Sequence, residues 1–185
     1  MSYTVITPPA SEPLTLSEIK ASLRVDGTDL DNDLSMMQRA AREVAEHETG
    51  QLLMTQTVRL DRTDWPDDLV IERAPVQSVA SVQYWDGSVW QTISSGSYSL
   101  WRDGTLWRVD PVSSWPSLGS GVGPRVRVTF VAGYASAADV PAAIKRYIIA
   151  QAGAWLRNPE GSAHPMTFGE NPFLAGLIDP YRVYP

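Results

Sequence analysis

Apolar residues recur at helical spacing through the first fifty residues. Thr15 and Glu18 form a capping-box pattern, in which two side chains satisfy backbone N–H groups at the start of a helix, and this predicts a helix over 16–24. A longer apolar stripe with charged residues opposite predicts a second helix over 30–49, ended by Gly50. The stripe consists of Leu30, Leu34, Met37, Ala41, Val44 and Ala45, and the charged face of Arg39, Arg42, Glu43 and Glu46.

After the second helix the apolar period changes from 3.6 to 2, which predicts short strands over 55–132, roughly five to seven of them. Asp-Gly pairs at 86–87 and 103–104 stand between aromatic and β-branched residues, and each predicts a β-hairpin. Residues 110–124 are rich in Gly, Pro and Ser and predict a loop. Residues 125–131 alternate Arg, Val and Thr, as expected of a strand with one buried face.

Helical spacing returns at residue 139, and Pro141 suits the first turn because its missing N–H would be unpaired there. We expect this helix to stop at Asn158. Residues 173–178 predict one or two helical turns, and an extended tail follows.

These elements predict an α+β fold, a small α-helical bundle that carries a β-strand-rich insertion. Two N-terminal helices must pack with the long C-terminal helix, because neither amphipathic part can bury its stripe alone. We place the helical core in 14–54 and 138–180, the insertion in 55–134 and the C-terminal tail in 180–185, all within a single domain.

The composition excludes several kinds of chemistry. The 185 residues contain no Cys, so disulfides, thiol catalysis and thiolate metal sites are excluded. The chain has no apolar run of the length that a membrane helix needs, so we expect no membrane partner.

The net charge of −6 is distributed unevenly. Residues 1–72 carry 14 acids against six bases, whereas 73–185 carry seven acids against nine bases. No basic run exceeds Lys145-Arg146, which is not typical of a DNA-binding surface. An acidic half and an Arg-weighted half suit head-to-tail association. Acids that merely solvate an exposed helix explain the first half equally well.

No residue pattern indicates catalysis or a metal site. His47 and His164 lie in different elements without recognisable metal partners. Asp29, Asp31 and Asp33 alternate as in a calcium loop, but the Gly and the bidentate Glu of that loop are missing, so they are interpreted as acids favoured by the helix dipole. The Gly-rich residues 119–123 precede a strand and no Lys follows, unlike a phosphate-binding loop. We expect no enzymatic activity and no cofactor.

Tryptophans cluster in the β-rich region, at positions 85, 90, 101, 107 and 115. They could fill a sheet core or brace strands, form a protein interface, or stack on a sugar or base. The net negative charge argues against single-stranded nucleic acid.

Several segments in order resemble tailed-phage head–tail connector (adaptor) proteins. They are residues 13–25, 40–46, 49–50, 74–79, 130–134, 140–145 and 177–184, and the β-rich insertion matches least well. The resemblance implies a non-enzymatic virion protein with a helical core and a β-insertion. It further implies a ring, dodecameric on the virion, that docks under the capsid portal, extends the DNA channel and supports a stopper or tail-completion protein. DNA would pass through without sequence-specific binding, and assembly would take place in the host cytoplasm.

The resemblance also implies that the C-terminal segment docks into the portal, which corresponds here to Tyr181, Arg182, Val183 and Tyr184. The charge distribution makes Arg125, Arg127, Asp29, Asp31 and Asp33 the candidate subunit-interface residues. We expect charge reversal at both arginines to affect assembly more than thermal stability. A neck stopper or tail-completion protein is the alternative within virions, and a Trp-based carbohydrate-binding module is the alternative of another class.

Overall fold

The computed structural model describes residues 2–158 and 176–183. It divides into two compact units, one formed by residues 1–10, 55–133 and 183–185, the other by 11–54 and 134–182. The first contains the β-sheets and the second contains the α-helices. Helices and antiparallel sheets occur in the same chain, so the α+β prediction is confirmed.

The sheet unit contains two antiparallel sheets. The strands are β1 (Ser2–Thr7), β2 (Gln56–Arg62), β3 (Val70–Ile71), β4 (Val76–Trp85), β5 (Trp90–Ile93), β6 (Tyr98–Asp103), β7 (Leu106–Pro111) and β8 (Val126–Ala132). The larger sheet has the strand order β1-β2-β8-β4-β5 and the smaller the order β3-β7-β6. Strands β2 to β8 lie where the alternating pattern predicts them.

Strand β1 is an edge strand that the sequence analysis did not predict. It pairs with β2, and one of its residues, Tyr3, holds it against the unit. The Tyr3 hydroxyl accepts the Glu72 N–H at 3.0 Å, and its ring meets Phe130 edge-on with the centroids 6.3 Å apart. Burial raises the pKa of the Tyr3 hydroxyl.

Strand β8 forms the centre of the larger sheet, between β2 and β4. Val126, Val128 and Phe130 alternate inward and are buried, whereas the residues between them are half-buried. The predicted strand with one buried face is therefore confirmed.

Both hairpins are confirmed. In the first, Trp85 pairs with Trp90 across a loop in which the Asp86 carboxylate accepts the N–H groups of Ser88 and Val89 at 2.8 and 2.9 Å. In the second, Asp103 is still paired, with Leu106, so the turn lies one residue later than the Asp-Gly pair suggests.

The predicted loop before β8 packs tightly on the first hairpin. Gly119 donates its N–H to the Trp85 carbonyl at 2.8 Å. A Cβ atom at Gly119 would lie 2.0 Å from the backbone nitrogen of Gly87, so only glycine fits this approach.

The helical unit is the predicted bundle of α1 (Leu16–Leu23), α2 (Asp31–Thr49) and α3 (Ala142–Arg157). Short 3₁₀ turns occupy Ala137–Asp139 and Asp179–Tyr181, and residues 176–178 are helical. The three helices share one apolar core, which includes Leu14, Ile19, Leu34, Ala41, Ile144, Ile148 and Ile178. The capping box of Thr15 and Glu18 is present, and Gly50 ends α2 in the left-handed conformation at φ 71°.

Several sequence predictions for the helical unit are wrong in detail. Pro141 immediately precedes α3 and does not lie in its first turn, because its backbone is extended there, with a ψ of 135°. Leu30, predicted in the apolar stripe, is 38% exposed at the start of α2. Arg42 and Glu46, predicted on the polar face, are both buried, where they pair with each other. The extended tail begins at Arg182, since Tyr181 ends a 3₁₀ turn, and residues 173–175 lie outside the described residues.

Candidate subunit and docking surfaces

The two arginines predicted at a subunit interface, Arg125 and Arg127, are engaged within the sheet unit. Arg125 donates from Nε to the Thr63 carbonyl at 2.9 Å and pairs with the Asp64 carboxylate. Arg127 pairs with Asp61 at 3.2 Å. Both guanidinium groups are thus already paired with carboxylates of the sheet unit.

Arg127 also contacts an aromatic ring. Its guanidinium carbon lies 3.8 Å from the centroid of the Trp90 ring, within the range of a cation–π contact. Its carboxylate partner Asp61 is 7% exposed and also pairs with Arg59 at 3.0 Å. Because reversal of the charge at 127 would place two acids together at a buried position, this geometry argues for a loss of stability.

The three predicted acids lie in the other unit, at the start of α2, and they differ in their partners. Asp31 pairs with Lys20 of α1 at 2.5 Å and is half-buried. Asp29 and Asp33 are exposed and have no partner in the described part of the chain. Two exposed apolar side chains, Leu30 and Met36, stand beside them, the latter 65% exposed.

A groove between α1 and α3 was not predicted. It is lined by Ala21, Ser22, Ala142 and Ile149 together with Lys145 and Arg146. Glu18 also lines it, but the Glu18 carboxylate accepts the backbone N–H and the hydroxyl of Thr15 at 2.7 and 2.8 Å, and these bonds lower its pKa. The only sequence signal for this groove is the Lys-Arg pair, the longest basic run in the chain.

The first residue of the predicted docking tail is hydrogen-bonded to Gln51, which follows α2 and its cap residue Gly50. The Tyr134 hydroxyl donates to Gln51 Oε1, and Gln51 Nε2 donates to the Tyr181 carbonyl, each at 2.6 Å. Arg182 pairs with Glu48 of α2 and with Asp179, both at 3.2 Å. Val183 is half-buried, and Tyr184 lies outside the described residues.

Most of the clustered tryptophans contact other aromatic rings or backbone within the sheet unit. Trp85 and Trp90 meet across the first hairpin with centroids 5.8 Å apart, and Trp65 stacks on Trp115 at 4.3 Å. Trp101 is 43% exposed, although its indole N–H donates to the Asp110 carboxylate.

Among residues 2–158 and 176–183, no three His, Asp or Glu side chains are placed to hold a metal ion. His47 is exposed on α2, and His164 lies outside the described residues. None of the described helices is long and apolar enough to cross a membrane.

No family model and no curated protein matches the chain. Solved structures do match over the whole chain and over 97% of the other chain in each case. A chain from the virion of the native gene transfer agent (GTA) particle is 24% identical, with a TM-score of 0.82. Chains from the neck of the empty particle, computed with C6 symmetry, and of the native particle, computed with C12 symmetry, are 22% and 23% identical with TM-scores of 0.83 and 0.76. At these identities, the likeness establishes a shared fold.

Proposed function

We propose that the chain is a structural, non-enzymatic protein of the neck of a phage-like particle. In this proposal it forms a ring between the capsid portal and the tail, extends the DNA channel and completes the head, as a head–tail connector of the adaptor type. The observation that carries the proposal is the full-length likeness of fold to chains of GTA neck structures.

The symmetry of those neck structures supports the ring. Rotational symmetry places identical chains around an axis, and a ring requires that one surface of each copy meet a different surface of the next. Twelve copies are the number that C12 symmetry generates from a single chain. The segments that resemble connector proteins in the sequence point to the same number.

Passage of DNA through such a ring is compatible with the charge of the chain. A protein that grips DNA neutralises phosphates with Lys and Arg and releases counterions. The chain carries a net charge of −6 and its longest basic run is two residues, so we infer that DNA passes without sequence-specific binding.

The partners follow from position in the neck. We infer that the tail, with Tyr181, Arg182, Val183 and Tyr184, contacts the portal, and that a stopper or tail-completion protein binds the opposite side of the ring. The anchoring of Tyr181 and Arg182 to Gln51 and Glu48 supports this, since it fixes the first residues of this segment on the helical unit. Assembly would take place in the host cytoplasm and the product would be the virion neck.

The proposal is tested by removing the gene from cells that produce the particle. We expect heads without tails that lose their DNA, restored by supplying the chain in trans, and immunogold label at the neck of complete particles. Normal tailed particles in the absence of the chain would overturn the proposal. Cross-linking to the tail side of the neck, with no cross-link to the portal, would favour a stopper or tail-completion protein instead.

The exposed Trp101 favours one function of another class, a carbohydrate-binding module. Trp101 lies on the edge strand β6, and the Arg108 guanidinium carbon is 5.8 Å from the centroid of its ring. Titration of glycans against tryptophan fluorescence distinguishes this function, because stacking on a sugar gives a saturable change that Trp101→Ala abolishes. We expect no such change.

A further inference from the structure

We propose that the groove between α1 and α3 receives the start of α2 from a neighbouring copy of the same chain. The first surface, the acidic knob, consists of Asp29, Leu30, Asp33 and Met36. The second, the basic groove, consists of Ala21, Ser22, Ala142, Lys145, Arg146 and Ile149. This inference rests on the proposed ring and names the contact between its subunits.

The acidic knob combines exposed carboxylates that form no ion pair among the described residues with exposed apolar side chains. Asp29 and Asp33 are exposed and unpaired among the described residues, unlike Asp31, which Lys20 neutralises. Met36 is 65% exposed and lies three residues after Asp33, so the two side chains are neighbours on one helix face. An exposed Met beside a carboxylate has no evident role inside the unit.

The basic groove offers the complementary features. The small side chains of Ala21, Ser22 and Ala142 leave space between α1 and α3, and Ile149 adds buried apolar surface. Neither the Lys145 ammonium nor the Arg146 guanidinium forms an ion pair or a hydrogen bond with a described residue. The Glu18 carboxylate also lines the groove, and its bonds to Thr15 lower its pKa more than the charge of Lys145 does. Glu18 therefore keeps its negative charge, but the two cations outnumber it and the groove is basic on balance.

Complementary charge around an apolar centre is the general pattern of specific protein interfaces. Two unpaired acids flank exposed Leu and Met on one surface, and two cations without an ion pair flank Ala and Ile on the other. The surfaces are different patches of one helical unit, so their contact is head-to-tail, the kind of contact that a ring requires. The basic partner of the predicted acids is therefore the Lys145-Arg146 pair, because Arg125 and Arg127 are already engaged.

The absence of cysteine from the chain allows a clean cross-linking test. Met36→Cys places a thiol on the knob and Ala21→Cys places one in the groove. A short bis-maleimide applied to the doubly substituted protein should give a ladder of covalent oligomers. A mixture of the two single variants should stop at the dimer, because each copy then offers one thiol. Met36→Cys combined with Val122→Cys, a fully exposed site in the other unit, is the matched control and should give no ladder.

The measurement is made on species larger than the monomer, isolated from concentrated protein or from particles of producing cells. A ladder only from the protein that carries both Met36→Cys and Ala21→Cys supports the inference. Ring-sized species without that ladder overturn the inference and leave the proposed function standing. A chain that is monomeric at every concentration and absent from purified particles overturns the proposed function and the inference together.

A charge swap tests the electrostatic part of the contact independently. Asp33→Lys should weaken association about tenfold or more, because it sets like charges against each other, and so should Lys145→Glu. The two changes combined should restore most of the loss. Asp67→Lys, an equal charge reversal at an exposed acid of the sheet unit, should leave association unchanged. Failure of the combined variant to recover, with unchanged melting of each single variant, would overturn the pairing.

Discussion

The buried Arg42 on α2 offers the sharpest test of how charge is used inside the helical unit. Its side chain is 6% exposed and pairs with Glu46 and Glu12, each at 2.8 Å. Glu46 accepts the Leu53 N–H at 2.8 Å with its other oxygen. The network therefore ties the segment before α1 and the segment after α2 to the middle of α2.

Arg42→Met should destabilise the protein by about 3–5 kcal/mol near pH 8, because it removes the guanidinium that pairs with the buried Glu46 carboxylate. For a chain of this size that corresponds to a fall in Tm of roughly 6–20 °C. Thermal unfolding followed by far-UV circular dichroism measures it. Removal of the charge as well, in the Arg42→Met/Glu46→Gln variant, should recover about 2 kcal/mol, since a neutral Gln still accepts the Leu53 N–H.

The pH dependence separates a buried charge from a simple loss of packing. Burial, the largest influence, raises the pKa of Glu46 despite the opposing effect of Arg42. A carboxyl group with a raised pKa binds its proton more readily in the folded than in the unfolded state, so its ionisation destabilises the fold as pH rises through the folded pKa. Without Arg42 the pKa rises further. The destabilisation by Arg42→Met should therefore shrink by roughly 1–2 kcal/mol between about pH 8 and about pH 5.

The single Glu46→Gln variant completes the cycle and serves as the control. In its background the effect of Arg42→Met should be nearly independent of pH, because the titrating group is gone. An effect of Arg42→Met that is the same at both pH values in the native background would refute the uncompensated charge as its cause. The loss would then belong to packing and to the tie with Glu12.

Three further predictions test the sheet unit and the tail. Gly119→Ala should destabilise the protein by about 1–3 kcal/mol, measured by urea unfolding, because its Cβ meets the backbone of the first hairpin; Gly96→Ala, with open space around the added Cβ, is the control. Arg127→Met should lower the free energy of unfolding by about 2 kcal/mol in the same assay, because the contacts of Arg127 with Trp90 and Asp61 are lost. An unchanged urea midpoint would mean that these contacts do not stabilise the fold and that Arg127 is available for a subunit interface. Deletion of residues 183–185 should leave the Tm unchanged but abolish co-purification with the portal. Deletion of residues 181–185 should also lower the Tm, because it removes the Tyr181 carbonyl that Gln51 binds.

Element type was predictable where local signals agree. The helix over 30–49 and the hairpins at the Asp-Gly pairs combine periodicity with end signals, and the structure has both. Strand β1 was not predicted, although its Tyr, Val, Ile and Thr residues favour a strand, because its partner β2 lies some fifty residues later in the chain. Long-range pairing of this kind leaves no local pattern.

Burial of charge was not predictable from periodicity. Arg42 and Glu46 lie on the polar face by spacing, and contacts with Glu12 and Leu53 from outside α2 help to make their burial tolerable. The same limit applies to Arg125 and Arg127, whose partners Asp64 and Asp61 come from other segments of the sheet unit. A sequence shows which residues carry charge, but not which charges are already neutralised.

This distinction changes what the uneven net charge means for assembly. The acids in the C-terminal half of α2, Glu43, Glu46 and Glu48, all have basic partners, and so has Asp31 at its start. Asp29 and Asp33 are without one in the described part of the chain. Paired charges contribute little field to a neighbouring subunit, since each is compensated within a few ångströms. Recognition between copies must therefore depend on unpaired groups, and these include Asp29 and Asp33 where α2 begins and Lys145 and Arg146 on α3.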